Sequence, residues 1–328
     1  MKKRIIGIGN ALLDVLLRLE SDETLAELGV RKGAMDLIDE STMRAIQTML
    51  CDMQRSEAPG GSVCNTIRAM ARLGADVGYI GKIGDDSNGA FYEAETKKAG
   101  VNPFFVRTKG ISGCSTVLIS PDGERTMATF LGPAATLSDD EITDDVLRQY
   151  DCLYMEGYLI SNEKLFLPTL KRAKRLGLKV ALDLANFNIV HGFRDLLKEV
   201  IPAYVDILFS NESEAEAYTG LSAREAIQVM SDDVEIAVVT VGKDGVWVKS
   251  GCQAFHYPAL SGRVVDTTGA GDNFAAGFLY GYTLEATPEQ SVMTGSLLAG
   301  NVIETVGAQI EEARWKQIKL KVDEILRK

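Results

Sequence analysis

The stretch DTTGAGDNFAAGF (residues 266–278) sets three small residues, Gly269, Ala270 and Gly271, directly before a carboxylate, Asp272. Apolar residues at helical spacing follow. Small residues at a helix N-terminus leave backbone N–H groups unpaired at the positive end of the helix dipole. Without a Cβ, Gly269 and Gly271 let a ligand approach that backbone closely. Such a place suits an anion. The stretch has no Gly-Lys-Ser/Thr, so it is not a Walker phosphate loop. An acid beside an anion site repels the anion unless it handles a proton. Phosphoryl transfer to an alcohol calls for that pairing: amides for charge on the moving group, a carboxylate to orient and deprotonate the hydroxyl. In a loose transition state the proton leaves late, so a carboxylate of pKa about 4 is basic enough. Asp272 is therefore expected to be the general base. The plainer alternative is an acid that only stabilises the first helical turn.

A second glycine pair, Gly60 and Gly61, lies in APGGSVCN (58–65), again ahead of a helical pattern. It suits either a tight strand–helix turn or backbone held close to a ligand. Asn65, in the first turn, both donates and accepts, which fits a sugar hydroxyl. GIGNALLD (7–14) departs from the dinucleotide fingerprint: Leu12 stands at the third glycine position, and Asp14 arrives too early for a ribose-binding acid. This disfavours a nicotinamide dehydrogenase. Asp14, expected at the end of the first strand, could instead accept from both hydroxyls of a diol. The two histidines, His191 and His256, accompany no HExxH or GxSxG pattern, so serine-hydrolase and zinc-hydrolase chemistry are not expected.

Composition agrees with a small-molecule enzyme. The 328 residues are 46% hydrophobic and 25% charged, with a formal charge of −11, which argues against nucleic-acid and anionic-membrane partners. The five cysteines (Cys51, Cys64, Cys114, Cys152, Cys252) are scattered, as free thiols in a reducing cytoplasm would be. The basic start MKKRIIGIGN is broken by Gly7, Gly9, Asn10 and Asp14, so no signal-peptide core is expected. No window approaches the ~18 uninterrupted apolar residues of a membrane span.

These residues need a scaffold. Short apolar runs (4–9, 76–84, 150–156, 178–184, 205–210, 234–242) alternate with helical patterns (62–74, 87–100, 163–177, 212–220). That rhythm predicts an α/β fold: one domain over residues 1–328, with a doubly wound, mostly parallel sheet flanked by helices. Segments at about 13–40 and 101–133 read as strands without intervening helices, and predict a small β-sheet lid. The charged C-terminal run reads as an amphipathic surface helix.

Taken together, the stretches resemble the ribokinase-like (PfkB) family of ATP-dependent carbohydrate and nucleoside kinases. The most specific match is DTTGAGDNFAAGF; GGSVCN, GKIGDDSNG (81–89), NESE (211–214) and TVGKDGVWV (240–248) follow the family's motifs in the family's order. The resemblance implies Asp272 as catalytic base and Gly269, Ala270 and Gly271 as the anion hole. It implies Asn211 and Glu214 at the Mg2+–phosphate water network, and Asp14, Gly60, Gly61 and Asn65 on the acceptor. Thr240, Gly242 and Gly245 would line ATP, with Asn301 near the adenine. Asp266 and Thr268 resemble ligands of a monovalent cation such as K+. GNALLD, GAMDLID, DGERTMATFLGPA and MEGYLI look most like bacterial adenosine-kinase-type members, in which the arginine equivalent to Arg125 comes from the lid. There it would neutralise phosphate charge, or else sit on the surface.

Adenosine is the expected acceptor; fructose, ribose or 2-keto-3-deoxygluconate is the alternative. The ribokinase subfamily's Gly-Lys-Gly is replaced by Ser62, Val63 and Cys64, which weakens plain ribose. Met35, Phe130 and Leu131 could form an apolar slot for a base, whereas Arg31, Lys32, Arg107 and Lys109 leave a sugar phosphate open. The expected form is a monomer or a homodimer.

Overall fold

The computed structural model describes residues 2–260 and 262–327. In chain order the strands are β1 (Ile5–Ile8), β2 (Leu12–Arg18), β3 (Met35–Leu37), β4 (Arg55–Gly60), β5 (Val77–Gly84), β6 (Asn102–Thr108) and β7 (Gly113–Ile119). There follow β8 (Arg125–Phe130), β9 (Cys152–Glu156), β10 (Lys179–Asp183), β11 (Ile207–Asn211), β12 (Ile236–Thr240), β13 (Val246–Ser250) and β14 (Gln253–Tyr257).

Nine of these form one sheet, in the order β14-β13-β12-β11-β10-β9-β1-β5-β6. It is parallel from β12 to β6; β13 and β14 add an antiparallel edge. β1, β5 and β9 are buried along their whole length, as expected where helices cover both faces. One face packs on helices Ser62–Leu73, Ala270–Thr283, Pro288–Val302 and Trp315–Arg327 through Ile67, Met70, Phe274, Phe278 and Leu298. The other packs on helices Phe166–Arg175, Arg194–Tyr204 and Ala223–Asp233 through Leu170, Leu197 and Ile227. No helix among the described residues is long and apolar enough to cross a membrane.

The remaining strands form the second sheet, β3-β8-β7-β2-β4. Alternation divides β2 between two environments. Leu13, Val15 and Leu17 join Leu118 and Ala128 in a core closed by Met43 and Ile46 of helix Glu40–Met49, while Asp14 faces away from that core.

Three expectations change here. Residues 102–108, expected in the lid, are the parallel edge strand β6 of the large sheet. Helix Ser87–Lys98 carries the chain from β5 to β6, so the segment completes a βαβ unit. The lid takes in β4 instead, whose sequence RSEAPG has little strand character; β4 lies on the edge, where a proline is tolerated. Asp14 is not at the end of the first strand but inside β2, on the lid.

Candidate active site

Helix Ala270–Thr283 begins at Gly269, which adopts a left-handed conformation (φ 70°). Its amides are not all free. The Ala270 N–H donates to the Thr267 carbonyl at 3.1 Å, so Ala270 drops out of the expected anion hole. Among the described residues the amides of Gly269, Gly271 and Asp272 find no acceptor. The two glycines are glycines for different reasons. A Cβ on Gly269 would lie 2.6 Å from Ala308 Cβ, a conflict within the protein. A Cβ on Gly271 would meet nothing within 4 Å. Gly271 faces open space at the positive end of a 14-residue helix.

Asp272, one residue on, points at the start of helix Ser62–Leu73. Ser62 Oγ donates to its Oδ1 at 2.7 Å and Asn65 Nδ2 to its Oδ2 at 2.9 Å. Ser62 and Asn65 reach one carboxylate because residues three apart share a helix face. Burial raises the Asp272 pKa above the usual aspartate value, against the lowering effect of these two donors.

Gly60 and Gly61, which start that helix, are required by the protein itself. A Cβ on Gly60 would sit 2.2 Å from the Asp14 carboxyl, and one on Gly61 would sit 2.3 Å from the Asn10 carbonyl oxygen. Gly61 also has φ 91°. The pair thus admits the Asp14 carboxylate and the crossing chain at residue 10. Burial, reinforced by the charge of Asp272, lifts Asp14 to about 7.

Glu156, at the end of β9, was not anticipated. Its Oε1 accepts from Asn10 N (3.0 Å) and Asn10 Nδ2 (2.8 Å), and its Oε2 from Val63 N (3.2 Å). It therefore ties two of the four passages between the sheets, at residue 10 and at residue 63, to the large sheet. It is 1% exposed, and burial lifts its pKa to about 7. Beside it, Asn10, Leu131, Ala135, Tyr158 and Asn162 line a cavity of about 440 Å³. Leu131 is the one residue of the expected apolar slot found here. Phe130 packs against the lid core, and Met35 is 41% exposed on β3. Three of the four expected basic residues are engaged by the protein's own acids: Arg31 by Asp36, Lys32 by Asp22 and Asp122, Arg107 by Glu93.

The model of the pfkB family of carbohydrate kinases matches residues 33–314. The chain belongs to that family. It is 32% identical to an uncharacterized sugar kinase of Archaeoglobus fulgidus over 73% of this chain and 96% of that one. It is 29% identical to adenosine kinase of Saccharomyces cerevisiae, over 94% and 96%. The crystal structure of adenosine kinase from Sinorhizobium meliloti superposes with a TM-score of 0.87, at 33% identity, covering 98% of this chain and 100% of that one. The protein is thus a sugar or nucleoside kinase with the ribokinase-like fold.

In this kinase Asn211 and Glu214 bond to each other. Asn211 Oδ1 accepts from Glu214 N at 2.9 Å, while the Glu214 carboxylate accepts from Asn211 N at 2.9 Å and from Asn211 Nδ2 at 2.7 Å. This is a reciprocal cap of helix Glu212–Thr219. Burial raises Glu214 to about 7, and burial together with the charge of Glu214 raises Asp183 well above the usual range. Asp183, an acid ending the apolar strand β10, was a signal that sequence reasoning passed over.

Thr240 ends β12, and Gly242 (φ 53°) has open space where a Cβ would point. Gly245 is a packing glycine, since a Cβ there would lie 2.0 Å from the Tyr257 carbonyl oxygen. Asn301 donates to the Leu297 carbonyl at 2.8 Å within its own helix. Four exposed apolar residues were missed from the sequence: Leu260, whose Cβ lies 3.7 Å from where a Gly300 Cβ would point, Val265, whose N–H donates to the Ile303 carbonyl, and Val264 and Val306.

Asp266 and Thr268 do come together, but around Arg125. Arg125 Nη1 donates to Thr268 Oγ1 at 2.6 Å, and Nη2 bonds Asp266 Oδ2. Arg125 is therefore not a surface residue; its side chain is 13% exposed.

Proposed function

We propose that the chain transfers the γ-phosphoryl group of Mg·ATP to the primary hydroxyl of a ribosyl nucleoside, with adenosine as the favoured acceptor. The observation that carries this is Asp272 beside the unengaged amides of Gly271 and its own N–H, with Ser62 and Asn65 fixing its carboxylate. Asp272 takes the proton of the acceptor hydroxyl as that oxygen bonds to the γ-phosphorus and the bond to the departing ADP oxygen breaks. The free amides donate to the phosphoryl oxygens, where charge collects. Asp14, on the lid strand, accepts from acceptor hydroxyls. Two of the five N–H donors of Arg125 are engaged, which leaves others for a phosphate oxygen.

Glu214 is buried and Asp183 partly buried, and both carboxylates have raised pKa values, a donor set that suits a hard cation. Among the described residues no three acidic, histidine or cysteine side chains cluster as direct ligands, which favours a Mg2+ ion reached through water. That ion would screen phosphate charge. Thr240 and Gly242 would run along the nucleotide, and Leu260, Val264, Val265 and Val306 offer an apolar slot for its base.

The cavity beside Asn10, with Leu131, Ala135 and Tyr158, supports an acceptor carrying an apolar base, and the ion-paired state of Arg31, Lys32 and Arg107 speaks against a phosphorylated one. A free-sugar acceptor is the second reading, favoured by the likeness to the archaeal sugar kinase. ADP release with adenosine, fructose, ribose and 2-keto-3-deoxygluconate separates the two. Adenosine is expected to have the highest kcat/KM by at least ~100-fold. Preference for a free sugar would overturn the acceptor assignment and leave the kinase assignment intact.

A further inference from the structure

We propose that Arg125 is a latch that fastens the lid to the loop ahead of Asp272, and that its guanidinium takes the place of the monovalent cation expected at Asp266 and Thr268. Arg125 opens β8, immediately after the turn in which Ser120 N bonds Glu124 O and Gly123 N bonds Ser120 O. It therefore sits at the tip of the β7–β8 hairpin. Asp266 and Thr268 belong to the loop that leads into Gly269, 141 and 143 residues further along the chain.

The carboxylate of Asp266 already accepts three hydrogen bonds from the protein. Its Oδ1 accepts from Thr268 N at 3.0 Å. Its Oδ2 accepts from Gly307 N at 2.6 Å and from Arg125 Nη2. The Thr268 hydroxyl accepts from Arg125 Nη1. Side-chain exposures of 13% for Arg125 and 7% for Asp266 shield the pair from water. A cation ligated by the Asp266 and Thr268 side chains would have to share both with a guanidinium, which never loses its charge. These residues therefore do not fit such an ion.

The arrangement also has a mechanical consequence. Arg125 engages residues 266 and 268, one of which immediately precedes Gly269. Gly307, which donates to the same carboxylate, lies against Leu16 on the lid strand β2, whose Cδ2 is 3.6 Å from where a Gly307 Cβ would point. Lid position and the backbone that presents the Gly271 amide are thereby coupled. Arg125 and Asp266 act as positioning residues in this respect.

The exchange and Tm arms of the test need no acceptor. Hydrogen exchange of the ligand-free full chain is compared for wild type, Arg125→Ala and Asp266→Asn. Amides in 113–130 are expected to exchange at least about tenfold faster in both variants, because each leaves a buried charge or its partner unpaired. Wild type is expected to have the same Tm, and the same turnover, in KCl as in tetramethylammonium chloride at equal ionic strength. In Arg125→Ala, K+ is expected to raise the Tm where tetramethylammonium does not. Unchanged exchange in both variants, or a K+-specific rise in wild-type Tm or turnover, would overturn the latch. The turnover comparison alone rests on the proposed kinase reaction. If no tested acceptor is phosphorylated, that reaction fails while exchange and Tm still decide the latch.

Discussion

The two glycine-led helix starts look alike as sequence and differ in what they are for. At Gly60–Gly61 both missing side chains are accounted for by the protein: one leaves room for the Asp14 carboxylate, the other for the Asn10 carbonyl. At Gly269–Gly271 only the first is so explained. Gly271 has neither a positive φ nor a neighbour within 4 Å of its absent Cβ, so the space it keeps is space for something else. One start builds the site's carboxylates into position, and the other leaves backbone donors bare. A glycine that packing does not require is the better pointer to a ligand.

That contrast can be broken at several points. The largest effect is expected from Asp272→Asn, which keeps the shape of the side chain and removes the proposed base. Turnover should fall at least ~100-fold with nucleotide affinity retained; a near wild-type rate would remove Asp272 from the chemistry. Next comes Gly61→Ala, which forces a positive φ on a residue whose Cβ meets backbone. Denaturant unfolding should register a loss of about 2–3 kcal/mol. Gly271→Ala is the converse. Stability should hold or rise by up to about 1 kcal/mol, as for any compatible Gly→Ala change in a helix, while turnover falls about tenfold. If both alanine variants lose stability alike, the distinction between the two helix starts collapses.

The smallest expected effect is one of pH. Burial lifts Asp14 and Glu156 to about 7 in the folded state, above the ordinary values of 3.8 and 4.5. The folded state therefore binds more protons than the unfolded chain in the window between those values, and stability falls as pH rises through it. Ligand-free Tm should be lower at pH 8 than at pH 6, each such group contributing about 1 kcal/mol across that interval. Glu156→Gln should flatten the slope. Turnover is expected to run the other way, since Asp272, whose pKa is raised, must be ionised for the proposed base role.

Much of this was legible in the order of residues. The strand–helix rhythm, Asn65 in the first turn of its helix and the acid after Gly271 are local patterns, and local geometry realises them almost directly. Sheet membership was less legible. Residues 102–108 read as a lid strand because a strand's sequence does not name its neighbour, and β4 was missed because its pairing with β2 outweighs a poor strand composition. Phe130 lay on the wrong side of the lid for the same reason: alternation gives two faces, and only packing against Met43 and Ile46 says which is inside.

The sequence by itself determined that a bare helix N-terminus adjoins an acid, and that a parallel α/β sheet carries them, because both follow from spacing along the chain. Only the tertiary structure decided that Glu156 anchors two of the passages between the sheets, at residues 10 and 63, and that Arg125 lies against Asp266 and Thr268. Those partners are 93 to 146 residues apart in the chain. Charge and hydrogen bonding act through space, so no pattern along the chain could announce them.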